Sequence, residues 1–330
     1  MNPALATVHV HAGCFPEAEE AALLEALRTR EVPARWLYAN PAQVAAWRAI
    51  HRRYAPSAVE PAWVRAFDDA FATAAQRLGE ATELSVIGLG CGDASKEIRL
   101  LGRLRSGGGF PAFLVVEGSL AMALTAAAAA AREAPQVETL PLVADLAGVG
   151  DLPATVDSLM GPAARIVTAF GLLPNLPGEV WLPGAAALLR PGDVLLGSAN
   201  LLPPPGGRAA WEAILPQYDN PETRAWLGLF LRSLGILPEE GEWRWTAEPD
   251  PAKTAAGRIV ARWIPGREIA IRLGAETLKW PAGEPVTLFR SWRHTPETLR
   301  ALLARHGLEP ERLWLAPGGD EALFLAGGRA

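Results

Sequence analysis

From residue 84 to residue 197 short apolar runs alternate with segments of helical periodicity. Leu84–Leu89, Phe113–Val116, Val137–Val143, Arg165–Phe170 and Asp193–Gly197 read as strands. Continuous apolar runs of this length suit strands covered on both faces. Between them the pattern predicts a helix running through Arg103 and another from about Ser119 to Ala131. Strands and helices alternating at this spacing predict a parallel sheet with right-handed crossovers. Upstream, residues 17–30 and 60–79 predict amphipathic helices. Residues 31–57, rich in Trp, Tyr, Arg and Pro, predict helix with irregular joints.

The rhythm changes at Leu201, where Pro203-Pro204-Pro205-Gly206-Gly207 reads as a hinge or loop. A helix is expected from about Pro221 to Leu234. Trp243–Ala247, Arg258–Ile264, Glu268–Leu273 and Pro285–Ser291 follow as short alternating strands of an antiparallel sheet. Thr295 as N-cap, Pro296 at the first helical position and Gly307 beyond the end bound a helix over Thr295–His306. Arg312–Leu315 and Ala322–Leu325 predict a closing strand pair. The fold class expected is α/β: a doubly wound, Rossmann-like core of residues 58–200 plus 292–330. A second α+β lobe would comprise residues 1–57 plus 201–291.

Composition removes several alternatives. The chain has 330 residues and a net charge of −5, so no global field draws it to nucleic acid or to an anionic membrane. Two cysteines, Cys14 and Cys91, are too few for a disulfide framework or a four-thiolate zinc site. No apolar stretch approaches the roughly 20 residues of a membrane span, and the first residues lack the pattern of a secretory leader. The expectation is a cytoplasmic monomer acting on a small molecule, with no metal, nucleic-acid or membrane partner.

The chemistry concentrates in Val86-Ile87-Gly88-Leu89-Gly90-Cys91-Gly92-Asp93. Glycines at spacing two between a strand and a helix let a cofactor approach the backbone, and the helix start offers free N–H donors. Dinucleotides and S-adenosylmethionine (SAM) both bind in such a crevice. The dinucleotide pattern G-x-G-x-x-G fails, because Asp93 stands three residues after Gly90. Glu117 ends the next apolar run, 25 residues after Gly92, where a carboxylate can accept from ribose hydroxyls. Asp145 follows the third run, where it can accept from an adenine amino group. Lys96, in the first turn of the helix, can reach a cofactor carboxylate. His9 and His11 share a strand face without a clustered acid, and Cys91 inside the turn reads as a small packed thiol.

These residues lie within a longer resemblance, from about Val32 to the C-terminus, to the SAM-dependent histidine Nα-methyltransferases of ergothioneine biosynthesis. That family's fungal relatives methylate a prenylated tryptophan. Leu89-Gly90-Cys91-Gly92-Asp93-Ala94-Ser95-Lys96 resembles its L-G-S-G-T-S-x-K, and Val116-Glu117-Gly118-Ser119 its D-V-S. Ala144-Asp145-Leu146 resembles its G-D-Y/F, Phe170-Gly171 through Asn175 its F-L-G-S-x-x-G-N, and Gln217-Tyr218-Asp219-Asn220 its A-Y-D-D. Gly283-Glu284 through Ser291 and Arg293 resembles its G-E-x-I-x-T-E-x-S-x-K.

The resemblance implies a class I SAM-methyltransferase core with a second, substrate-binding lobe. The cofactor set it gives, with the glycine motif, is Gly88, Gly90, Gly92, Lys96, Glu117, Asp145 and Leu146. Asn175 and Tyr218 match positions that grip the substrate's α-amino and carboxylate groups, Tyr38 one near the amine, and Ser291 one at the side-chain end. Tyr38, Asn175 and Tyr218 are thus the catalytic candidates. The departures are as informative. Phe289 replaces a glutamate that recognises imidazole, Ala261 replaces a methionine, and Ala55, with Tyr54 beside it, replaces a tyrosine. A phenylalanine cannot accept from an imidazole N–H, and an unpaired buried donor costs about 1–3 kcal/mol. The expected activity is N-methylation of the α-amine of a bulky or aromatic amino acid. The alternatives are another acceptor (a different amine, a thiol or a peptide terminus) and a non-catalytic SAM-binding homologue.

Overall fold

The computed structural model describes residues 7–54, 60–79, 81, 83–148 and 150–328. Ala55, one of the substituted positions, lies outside them. Eight strands form the main sheet: β1 (His9–Val10), β2 (Glu83–Leu89), β3 (Phe110–Glu117), β4 (Thr139–Val143), β5 (Ala164–Ala169), β6 (Val194–Asn200), β12 (Leu308–Leu315) and β13 (Glu321–Gly328). Their spatial order is β1-β4-β3-β2-β5-β6-β13-β12. Strands β1 to β6 pair in parallel, while β13 runs antiparallel to both β6 and β12. This is a Rossmann-like sheet closed by a reversed hairpin. Chain order reverses between β2 and β5, which places the ligand crevice beyond the C-terminal ends of those strands.

The central strands are apolar throughout because both faces are covered. Successive side chains point to opposite faces, so Val86 and Phe113 join the aromatic cluster of Trp63, Phe67 and Phe71 on one side. Ile87 and Leu114 join Trp181, Leu195 and Phe324 on the other. The helices Pro61–Arg77, Ser95–Ser106 and Leu120–Glu133 were each expected, with ends shifted by a few residues.

The segment 201–291 starts with a helix the sequence pattern did not reveal, Gly207–Tyr218, directly after the Pro-rich stretch. The helix Pro221–Ser233 follows. The expected single antiparallel sheet is two: β7 (Gly241–Glu248), β8 (Gly257–Pro265) and β11 (Val286–Arg293) in the order β11-β8-β7, and a ribbon of β9 (Ile269–Leu273) with β10 (Glu276–Trp280). A third apolar cluster packs Trp226, Leu227 and Leu231 against Trp245, Ala261, Trp263 and Phe289, with Leu37 joining from residues 34–38. Trp280 belongs here as well, donating to the Leu27 carbonyl at 2.8 Å. The N-terminal 57 residues are divided: His9–Val10 extends the main sheet through β4, whereas Leu27 and Leu37 pack in the third cluster. Among the described residues no helix is long and apolar enough to cross a membrane.

Candidate functional site

At the end of β2 the backbone turns sharply into the helix Ser95–Ser106. Gly90 (φ 61°) and Gly92 (φ 63°) are left-handed, and Ala94 (φ 56°) shares that conformation. The tight turn brings its own N–H groups under carboxyl and carbonyl oxygens. Gly90 donates to the Val116 carbonyl at 2.9 Å, Ala94 to the Cys91 carbonyl at 2.9 Å, and Gly92 to Oε1 of Glu117 at 2.6 Å. The free donors expected at these three positions are therefore already engaged. A Cβ at Gly92 would sit 2.6 Å from the Trp47 indole, and one at Gly90 would sit 3.1 Å from Leu172. At Gly88 the space beside the backbone is filled by Cys91 and Phe113, each 3.1 Å from a would-be Cβ, and the Cys91 thiol is buried.

Two buried carboxyls flank the turn. Glu117 is 8 % exposed, and burial together with the nearby charge of Glu97 pushes its carboxyl up to about 8, against the opposing Gly92 hydrogen bond. Glu97, in the first turn of the helix, is 1 % exposed and accepts from the Thr168 hydroxyl at 3.0 Å. Burial pushes it up to about 7, with Lys96 acting in the other direction. Among the described residues neither carboxyl has a salt-bridge partner. The Lys96 ammonium rests 3.5 Å from Nε2 of His51, whose imidazole burial and Lys96 hold down at about 4. Asp145 accepts the Ala147 N–H at 3.0 Å and faces Arg35 at 3.6 Å, and Arg35 also meets Glu19 at 2.6 Å.

Beside Asp145, Leu146 lines a cleft of about 340 Å³ with Leu89, Gly148, Leu152 and Trp181. The cleft lies at the C-terminal ends of β2 and β4. Such a slot suits a heteroaromatic ring. A nucleoside carrying a net positive charge fits the surroundings: an apolar slot, buried carboxyls without a salt bridge among the described residues and a lysine at the helix start. A dinucleotide pyrophosphate would instead meet Asp93, Glu97 and Glu117 around the turn.

The acceptor side is aromatic. The Tyr38 ring lies 5.7 Å from Trp47 and 5.4 Å from Trp226, and Trp226 lies 5.9 Å from Phe289. Phe289 in turn lies 6.0 Å from Tyr218 and 6.3 Å from Trp245. Across the sheet Trp245, Ala261 and Phe289 stand directly opposite one another, so they share one face. Ala261, the smallest of the three, separates two large rings. Ser291, two residues along β11, shares that face. Its hydroxyl meets the Tyr218 hydroxyl at 2.9 Å, which also accepts from Asn200 and Arg293, each at 3.2 Å. Burial, with the charge of Glu117, raises the Tyr38 phenol well above its ordinary range.

Tyr38, Tyr218, Ala261, Phe289 and Ser291 are thus brought into one connected cluster. Asn175 ends the short helix Leu172–Asn175, which packs on β6 and β11, and its amide donates to the Gly171 carbonyl at 2.9 Å. Tyr54 stands apart: it is 43 % exposed at the end of the helix Pro41–Tyr54, under the Arg53 guanidinium. The sequence reading gave no part to Trp47, Glu97 or Asn200. Glu97 offered a usable signal, a carboxylate in the first turn beside the glycine motif; the others converge only through tertiary structure. Among the described residues no group of His, Cys, Asp and Glu could hold a metal ion, and His11 pairs with Asp151 at 3.0 Å.

No protein-family model matches the chain, and no curated protein matches it. Among solved structures it is similar to the CcbJ methyltransferase from Streptomyces caelestis, at 15 % identity and a TM-score of 0.41, covering 80 % of this chain and 90 % of that one. It is similar to magnesium protoporphyrin IX methyltransferase from Synechocystis PCC 6803 with bound SAH, at 13 % identity and a TM-score of 0.41, covering 95 % and 97 %. It is also similar to OxaC, at 14 % identity and a TM-score of 0.46, covering 89 % and 53 %. All three TM-scores lie below 0.5, and the functional reading rests on the chain's own side chains.

Proposed function

We propose that the chain is a SAM-dependent methyltransferase that N-methylates the α-amine of a bulky or aromatic amino acid or a close derivative. The observation that carries this reading is the pair of buried carboxyls, Glu117 and Glu97, flanking the glycine turn without a salt bridge among the described residues. Carboxyls left unbalanced in a dry site favour a cationic ligand and oppose an anionic one. Glu117 has one oxygen on Gly92, and an ionised carboxylate retains further lone pairs for ribose hydroxyls. Asp145 and Leu146 border the heteroaromatic slot, and Lys96 is placed for the methionine carboxylate.

When bound, SAM supplies a methyl group already activated by a sulfonium, so the protein need only position the acceptor and exclude water. Trp47, Tyr38, Trp226 and Phe289 form an apolar wall between the glycine turn and β11, which keeps water out. Tyr38 stays neutral at any ordinary pH and orients an amine without adding charge. Asn175 holds the amino acid's polar end, and Tyr218, whose hydroxyl already meets Asn200, Arg293 and Ser291, braces that side of the site. Solvent takes the ammonium proton before transfer, and no side chain is required as a dedicated base.

Incubation with methyl-labelled SAM and single amino acids tests the reading. Label is expected in Trp, Phe or Tyr and not in His. Label only in a different amine or thiol would replace the acceptor while keeping the cofactor half. SAM binding with no labelled product from a broad acceptor panel would leave a non-catalytic homologue.

A further inference from the structure

The space that the missing side chain of Gly92 leaves free is taken by a helix that precedes the core. In the helix Pro41–Tyr54, Trp47 and Arg48 lie four and three residues before His51, so the three share one face. They meet Gly92, Asp93 and Lys96, which repeat the same spacing. The Trp47 indole lies 2.6 Å from a would-be Gly92 Cβ, Nε of Arg48 lies 3.7 Å from Asp93, and Nε2 of His51 lies 3.5 Å from the Lys96 ammonium. Gly92 is buried beneath this face, and Glu117, which accepts its N–H, is 8 % exposed. The cleft beside Leu146 reaches Leu89 but none of residues 90–96. The turn is therefore capped on the side where a glycine lets a ligand approach the backbone.

The capping helix is held firmly at one end only. The Gln43 N–H donates to the Asn40 side-chain oxygen at 3.0 Å, and the Asn40 N–H donates to Oε1 of Gln43 at 3.1 Å. The Gln43 amide also donates to the Trp36 carbonyl at 2.9 Å. Of the helix's 14 residues only Gln43 and Val44 are buried. Further along, Ala46, Trp47 and Ile50 are half-buried, and Arg52, Arg53 and Tyr54 are exposed. The polar ties to the turn are weak. The Arg48–Asp93 pair is not a hydrogen bond, and the buried Nε of Arg48 has no hydrogen-bond partner among the described residues. The His51–Lys96 contact is long for a hydrogen bond. It also requires a neutral imidazole, which burial and the Lys96 charge maintain against the opposing charge of Asp93. The Trp47 ring rests on His51 and on the edge of Tyr38. Segments with so few buried contacts are the ones that open locally.

We propose that the helix Pro41–Tyr54 is the gate of the cofactor crevice. Its far end swings about the Asn40–Gln43 cap, lifts Trp47 from Gly92 to admit the ligand, and returns to exclude water once the ligand is seated. Lys96 has no salt bridge among the described residues, and the swing releases it from His51 to the ligand's carboxylate. The inference rests on the cofactor reading above for the identity of the ligand, and not for the motion itself.

The full-length protein is mixed rapidly with S-adenosylhomocysteine (SAH), and binding is followed by the change in tryptophan fluorescence. In wild type the observed rate should level off as SAH rises, because opening becomes limiting. In Trp47→Ala it should stay linear in SAH over the same range and exceed the wild-type plateau by about tenfold or more. A tryptophan that only touches the ligand would leave association unchanged and speed dissociation, and that result overturns the inference. So does a wild-type rate that rises linearly without a plateau. Hydrogen exchange of the ligand-free wild type reads the motion without any variant, so it decides even where Trp47→Ala does not fold. Peptides over residues 47–54 should exchange roughly tenfold faster than those over 61–77, and equal protection overturns the inference. If residues 47–54 exchange fast and SAH shows no binding, the gate stands and the cofactor reading falls.

Discussion

The two halves of the site are built with opposite polarity. Around the glycine turn, Glu97 and Glu117 are buried carboxyls without a salt bridge among the described residues, Lys96 acts on Glu97 from the helix start, and Asp145 borders the adjoining cleft. Around β11, among the described residues, the Trp245 indole N–H has no partner, Ser291 is bonded to Tyr218, and the buried Arg293 reaches the same phenol. The aromatic wall from Trp47 to Phe289 separates them. The first half is acidic and the second carries a buried cation, so a substitution in one tests it separately from the other.

The largest expected effect is at Glu117. Glu117→Ala removes the ribose acceptor and the partner of Gly92, and SAM affinity should fall about 100-fold, matching the loss of one charged and one neutral hydrogen bond. Binding of the acceptor amino acid should fall far less. Equal loss of both ligands would merge the two halves into one.

Gly92→Ala comes next. Its Cβ would meet Trp47 at 2.6 Å in a left-handed backbone, which itself costs about 1–2 kcal/mol for an L-residue. Thermal unfolding should show the loss, and Trp47→Ala in the same chain should recover the steric part alone. Full recovery would mean that the backbone conformation contributes nothing.

The carboxyls also set a pH dependence. Glu117 and Glu97 are raised to about 8 and about 7, from an ordinary value of 4.5. The folded chain without cofactor then holds protons that the unfolded chain has released, so stability present below pH 4.5 is lost as pH rises toward 7–8. Glu97→Gln should melt higher relative to wild type as pH climbs from 5 to 8. SAM should bind wild type more tightly over the same rise, by up to about tenfold per pH unit, whereas SAH, which lacks the sulfonium charge, should gain less. A melting difference between the variant and wild type that is flat with pH would remove the two carboxyls from the electrostatic account.

Phe289→Glu probes the other half, returning an acceptor to the row beside Ala261. Histidine affinity should rise about tenfold, the worth of one paired donor. The smallest effect is expected at Tyr54: exposed and outside the aromatic cluster, its alanine variant should change acceptor affinity less than twofold, within the ±0.5 kcal/mol usual for surface substitutions.

The contrast between the halves also explains what could be read from the chain alone. The core strands are buried on both faces, so β2, β3, β4 and β5 announce themselves as apolar runs, and Glu117 and Asp145 follow from the ends of β3 and β4. β10, Glu-Thr-Leu-Lys-Trp, has its first two residues and Lys279 exposed and carries no such run. The helix Gly207–Tyr218 was hidden by the prolines before it and by Pro216 within it, since proline normally marks a helix boundary. Glu97 reads as an ordinary carboxylate complementing a helix start, and only Thr168 on β5, 71 residues away, shows it to be buried. The hydrogen bonds to Tyr218 join Asn200 on β6 to Ser291 and Arg293 on β11. Trp47 reaches Gly92 from a helix that precedes β2. No local pattern encodes such meetings, because they arise from the packing of the two sheets.

Titration calorimetry of SAM into wild type and Glu117→Ala tests the central claim most directly. The account predicts micromolar binding by wild type, lost in the variant while its melting temperature remains close to wild type. No binding by wild type, alone or with candidate amino acids present, would contradict it.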